Sequence, residues 1–220
     1  HAPEAGTLFK APAFAETLEE LARTNCESFY RGAIADEIDA FSKKTGGYIR
    51  KDDLAAYHAE WVEPITTNYR GFDVWELPPN GHGLVVLMAL NILEGFDLSG
   101  GHENPEVLHR IIESLKLAFA DGKRYISDPK AMKTEVKRLL SKEYAEKRRA
   151  LIGKEAIDPM AGDPYCGDTV YLCAADGEGN MISYIQSTFA GFGSGIFLPG
   201  TGIVFQNRGN GFTMDETMDN

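Results

Sequence analysis

The rhythm of apolar and polar positions changes near residue 168. Before it, apolar residues recur mostly at helical spacing; after it, they fall in short β-branched runs between tight turns. In the stretch from Thr7 to Arg31, Phe14, Leu18, Leu21 and Ala22 share one face and Glu16, Glu19 and Glu20 lie on others. This predicts a helix opening at Pro12. Ile34, Ile38 and Phe41 predict a second short helix, with Gly46–Gly47 suited to a left-handed cap. Lys51 to Tyr57 reads as a helical turn with an Asp N-cap. Pro64 to Leu77 reads as two strands joined at Arg70–Gly71. A turn from Pro78 to Gly83 leads into an apolar helix, Leu84 to Leu93, ended by Gly95. Asn104 as cap and Pro105 at the first helical position open another helix. Its Val107, Leu108, Ile111, Ile112, Leu115, Ala118 and Phe119 fill one face over about three turns. Glu135 to Leu151 reads as a charged helix with Leu139, Leu140, Tyr144 and Leu151 inward. Pro159 to Tyr165 is a linker.

After Asp168 the text is different. Thr169 to Ala175 reads as a strand, Asp176–Gly177–Glu178–Gly179–Asn180 as a turn, and Met181 to Thr188 as a returning strand. The run from Thr169 to Phe205 is expected to hold at least three strands, with Ser187 on the neighbour of the strand that Thr169 opens.

Composition narrows the function classes. The chain has 220 residues, 43% hydrophobic and 25% charged, enough for a sizeable core. Net charge is −11, and no cluster of Lys and Arg stands out for a phosphate backbone, so no nucleic-acid partner is expected. No apolar run approaches the roughly 18 residues of a membrane span. Cys26, Cys166 and Cys173 make an odd count without metal spacing and read as free thiols, which favours the cytoplasm. His1, His58, His82, His102 and His109 are scattered, so neither a metal site nor a cofactor is expected. The chain starts at His1 without a signal peptide, as a fragment or a processed product would, so its start does not fix the compartment.

A threonine that opens a strand is ordinary by itself. Its surroundings are not. Thr169, Asp176, Gly179–Asn180, Ser187–Thr188, the loop Phe192–Gly193–Ser194–Gly195, Pro199–Gly200–Thr201–Gly202–Ile203 and Gln206–Asn207 follow one another in a fixed order. Upstream stand Phe29–Tyr30–Arg31–Gly32, Asp53–Leu54–Ala55–Ala56–Tyr57, Tyr69–Arg70–Gly71, Pro78–Pro79, Ala118–Phe119–Ala120–Asp121 and Asp128–Pro129. This series resembles the γ-glutamyltranspeptidase-like family of N-terminal-nucleophile (Ntn) hydrolases, up to about Phe212. The resemblance implies an α+β protein, part of a four-layer αββα Ntn-hydrolase sandwich. It implies that residues 1–168 are the C-terminal part of a large subunit and 169–220 the start of a small one. The missing parts of the same precursor would then be partners, and a homodimer is one arrangement to test. An arginine that grips the substrate carboxylate would lie upstream. A Ser-Ser pair and an oxyanion-hole Gly-Gly pair would lie downstream.

The implied chemistry is self-cleavage between Asp168 and Thr169. A free α-amine has a pKa of about 7.7–8.0 and can serve as base to its own hydroxyl, so no histidine is needed. Ser187 falls where the family keeps a second hydroxyl bonded to the nucleophile. Asn207, Arg208 and Gly193 fall in the substrate-binding text. Members acting on γ-glutamyl groups carry Asn where this chain has Phe189, an amide or acid where it has Arg208, and Asp where it has Gly211. Loss of an acidic group and gain of Arg favour a small-molecule amide bearing a carboxylate over one bearing an ammonium group. The Gln206–Asn207–Arg208–Gly209 text is similar to the cephalosporin acylase-like branch and to oxamate amidohydrolases. The expected function is amide-bond hydrolysis or acyl transfer of the γ-glutamyltranspeptidase-like kind, with weak or no turnover of γ-glutamyl donors such as glutathione. The alternatives are an oxamate-type amidohydrolase and an unprocessed, inactive scaffold.

Overall fold

The computed structural model describes residues 3–158 and 169–216, with Thr169 described by its backbone. In chain order, α1 spans Pro12–Arg23, α2 Glu27–Tyr30, α3 Ala33–Thr45 and α4 Lys51–Ala56. The helix expected to run through Arg31 is therefore broken. Asn25 and Cys26 take left-handed backbone with φ of 50° and 65°, and the Thr24 hydroxyl accepts Ser28 N–H at 3.2 Å to start the next turn. Gly46 ends α3 at φ 76°, as the sequence predicts. The cap of α4 differs from expectation. Arg50 is the N-cap, and Asp53 in the first turn accepts the Arg50 N–H at 2.8 Å.

Strands β1 (Ile65–Tyr69) and β2 (Phe72–Glu76) form an antiparallel hairpin with Tyr69 opposite Phe72. Arg70 and Gly71 turn it with φ of 52° and 88°, the two positive angles that a two-residue hairpin turn needs. Helix α5 spans Gly83–Leu93 and α6 spans Pro105–Tyr125. The Asn104 carboxamide oxygen caps α6, accepting the N–H groups of Glu106 and Val107 at 2.8 and 3.4 Å. The charged segment after it is two helices, α7 (Val136–Leu139) and α8 (Lys142–Arg149), because the Ser141 hydroxyl caps the second by accepting Tyr144 N–H. The last strands are β3 (Thr169–Ala175) and β4 (Met181–Ser187), antiparallel. A third strand does not form among the described residues. Phe197 and Val204 make an isolated bridge instead, in a loop whose glycines 191, 193, 195, 200 and 202 all have positive φ. No described helix is long and apolar enough to cross a membrane.

The chain is α+β and divides into two compact units. One joins His1–Glu60 to Tyr165–Arg208; the other joins Trp61–Pro164 to Gly209–Asn220. In the first, Ile34 and Ile38 of α3 bury against Leu198, with Phe41, Ile203 and Phe205 packed around them. Burial of such side chains stabilises by roughly 1.5–3 kcal/mol each. The Thr17 hydroxyl donates to the Thr201 carbonyl at 2.8 Å, tying α1 to the same loop. In the second unit, Leu84, Val85, Met88 and Ala89 of α5 pack with Ala118, Ile126 and Leu139. Helix α6 buries Val107, Leu117 and Ala118 but leaves Leu108, Ile112 and Phe119 exposed, so its apolar residues are not all on the inward face. Leu151, expected inward, is also exposed.

Candidate active site

The site is built on the β3–β4 hairpin and the glycine-rich loop that follows it. The turn is held by Asp176. Its carboxylate accepts the N–H groups of Glu178 and Asn180, each at 2.9 Å, and the Asn180 side-chain amide at 2.8 Å. The Asn180 amide, with these main-chain bonds, holds the Asp176 carboxyl below its ordinary pKa. A charged Asp176 therefore closes the turn and sets the register. With that register, Thr169 is the cross-strand partner of Ser187. The first residue of β3 and the last of β4 meet at the open end of the hairpin, away from the turn.

Ser187 is half-buried. Its hydroxyl oxygen accepts the Phe189 N–H at 2.8 Å. A serine hydroxyl has one hydrogen and two lone pairs, so this bond orients the rest of its capacity. Phe189 reaches the hydroxyl because its backbone is left-handed, φ 82°, a conformation that bulky residues rarely adopt. The chain turns here into the glycine-rich loop.

Asn207 closes this loop. Its N–H donates to the Thr188 carbonyl at 3.1 Å. Its side-chain oxygen accepts Ala190 N–H at 3.0 Å, and its side-chain NH2 donates to the carbonyls of Ala190 and Gly193 at 3.2 and 3.0 Å. Both amide N–H bonds thus go to main chain. Gly193 sits at φ 71°, and a Cβ there would lie 2.5 Å from the Phe205 carbonyl oxygen, so the close pass of two backbones requires glycine. Ser194 completes the pairing, donating N–H and hydroxyl to Phe205 O at 2.9 and 2.8 Å.

Arg208 follows directly. Its N–H donates to the Gln206 side chain, and the residue is exposed. The guanidinium carbon lies over the Phe189 ring, 5.1 Å from its centroid. The structure thus brings Ser187, Phe189, Gly193, Asn207 and Arg208 into one loop cluster beside the residue that opens β3. Phe189 was visible in the sequence only as a departure. Its two contacts depend on a backbone angle that no aromatic residue signals. Gly211 ends a single turn of 3-10 helix, Arg208–Gly211. Cys26 and Cys173 are free and exposed. Asp168 and Cys166 lie outside the described residues, as does the expected linker from Pro159.

The model of the family described as Gamma-glutamyltranspeptidase matches residues 1–220. The chain is 37% identical over 216 residues to the glutathione hydrolase-like YwrD proenzyme of Bacillus subtilis, covering 98% of this chain and 41% of that protein. It is 36% identical over 214 residues to the oxamate amidohydrolase proenzyme of Klebsiella pneumoniae, covering 97% and 40%. Among solved structures it is similar to the cephalosporin acylase from Bacillus halodurans, with 51% identity and a TM-score of 0.87 over 99% of this chain and 40% of that one. The chain therefore spans about two fifths of the length of these relatives.

Proposed function

The chain belongs to the gamma-glutamyltranspeptidase family, and from that premise we propose that the whole protein is a self-processing amide hydrolase or acyl transferase whose nucleophile is Thr169. The observation that carries this reading is the register of β3 and β4. Thr169 opens its strand directly opposite Ser187, and the Ser187 hydroxyl is oriented by Phe189 N–H. Two relatives are named proenzymes, which is consistent with maturation by cleavage.

Maturation would begin with attack of Thr169 Oγ on the Asp168 carbonyl. The peptide C–N bond breaks, the acyl group passes from nitrogen to oxygen, and water hydrolyses the ester. The products are an Asp168 carboxylate and a Thr169 α-amine. That amine then takes the hydroxyl proton when Oγ attacks the substrate amide. The substrate amine leaves with a proton, and the acyl group passes to water or to a second amine. Ser187 would hold the Thr169 hydroxyl. Oxyanion donors, which contribute about 2.7–4 kcal/mol each, would come from the rest of the protein.

Arg208 would receive a carboxylate on the acyl donor. It is exposed, carries the only full positive charge in the loop from Thr188 to Gly211, and can bind a carboxylate through two N–H groups. Asn207 and Gly193 would shape the loop that presents it. An oxamate-type amidohydrolase is the second reading, favoured by the identity to the Klebsiella relative. The test is the chain break. Full-length protein should split between Asp168 and Thr169, Thr169→Ala should stay whole, and Thr169→Ser should still split, more slowly. Normal splitting of the alanine variant would refute the threonine as its own processing nucleophile, and an uncut wild type would favour an inactive scaffold.

A further inference from the structure

Phe189 has a feature that the proposed chemistry does not use. Its ring lies against the Arg208 guanidinium at 5.1 Å, and its backbone holds φ 82°. We propose that Phe189 is a specificity-determining residue, its ring being the platform that holds Arg208 in position for the donor carboxylate. The proposal rests on the reading that Arg208 receives that carboxylate.

An exposed arginine has large rotamer freedom, and fixing it to bind a ligand opposes binding. An aromatic face reduces that freedom before the ligand arrives, because the ring quadrupole attracts the cation. A guanidinium lying over a ring still has in-plane N–H groups for a carboxylate. The backbone supports the platform. Phe189 N–H is bonded to Ser187 Oγ at 2.8 Å and the next N–H, of Ala190, to Asn207 Oδ1 at 3.0 Å. The left-handed turn is therefore held on both sides. One residue thus joins the two functions: its N–H fixes the hydroxyl opposite Thr169, and its ring fixes the cation. The distance from the reacting carbonyl to the donor's distal carboxylate would be set through Phe189, which selects the length as well as the charge of the acyl group.

The test uses the full-length, self-cleaved protein, with kcat and KM measured for glutaryl-p-nitroanilide and γ-glutamyl-p-nitroanilide. Variants are Phe189→Leu, Phe189→Tyr, Arg208→Ala and the Leu/Ala double. Phe189→Gly serves as a second ring deletion, since glycine tolerates left-handed backbone. For the glutaryl donor, loss of the ring should raise KM about three- to tenfold with kcat little changed. Phe189→Tyr should keep KM near wild type. With Arg208 already removed, loss of the ring should add nothing. If Arg208→Ala leaves the glutaryl KM unchanged, the carboxylate reading fails and this proposal falls with it. If Arg208→Ala raises the glutaryl KM but the ring deletions leave it alone, the platform fails and the carboxylate reading stands. Equal KM rises for both donors, with or without Arg208, would show that Phe189 only shapes the loop.

Discussion

At the scale of single residues, the Asn207 side chain is engaged by its own loop. The amide has one oxygen and two N–H bonds, and its three partners are main-chain groups of Ala190 and Gly193. Asn207→Ala should lose three bonds, each worth about 0.5–1.5 kcal/mol, and partial exposure should reduce the sum to about 1–3 kcal/mol. Asn207→Asp should be worse than alanine. It keeps an acceptor for Ala190 N–H but turns a carboxylate oxygen toward two carbonyls. Urea unfolding of the three proteins tests this ordering. A direct substrate ligand would instead raise KM with unfolding unchanged, and Asp would not fall below Ala. Asparagine at this position was legible in the sequence; these three bonds were not, because the loop from Ala190 to Asn207 closes through contacts that no local pattern encodes.

At the scale of elements, what the sequence foretold is what short-range chemistry decides. Gly46 ends α3, Asn104 caps α6, Arg70–Gly71 turns the first hairpin and Asp176 closes the second. Each depends on a few neighbouring residues. The misses are of two kinds, one set by partners distant in sequence and one by backbone angles at glycine. The inward face of α6 is chosen by α5 and α8, which leaves Leu108 and Ile112 exposed, and the expected third strand stays a bridge because positive-φ glycines interrupt it. The contact of α6 with α8 supplies a prediction of its own. Asp121 is buried, and Arg148 Nε lies 2.9 Å from its carboxylate. Burial raises the Asp121 pKa and the Arg148 charge opposes that rise. Arg148→Ala leaves the carboxylate with the Tyr144 hydroxyl but no counter-charge, at a cost of about 3–5 kcal/mol near neutral pH. The sign with pH follows. A carboxyl whose folded pKa is raised binds its proton more tightly when folded, so its stabilising effect is complete below the unfolded pKa and is lost as pH rises through the folded value. The variant should therefore fall further below wild type at pH 7 than at pH 4.5 in thermal unfolding. A deficit independent of pH would mean that Arg148 acts by packing alone.

At the scale of the whole molecule, the compact unit that carries Thr169 holds residues from both sides of the proposed cut. The unit is assembled from His1–Glu60 and Tyr165–Arg208, so its core is shared by residues on either side of the Asp168–Thr169 bond. Ile34 and Ile38 bury against Leu198, Phe41 stacks on Phe205 with ring centroids 6.2 Å apart, and Thr17 donates to Thr201. None of these contacts involves the bond that would break. The cut should therefore free the Thr169 amine without releasing the strand that carries it. After maturation the two fragments should elute together from a sizing column in native buffer and separate in urea. Leu198→Ala creates a cavity in the shared core and costs about 2–5 kcal/mol, so it should lower the urea concentration at which they part. Fragments that separate in native buffer would mean that the core joining α3 to the loop does not hold the cut chain together, and Thr169 could not then work from this hairpin.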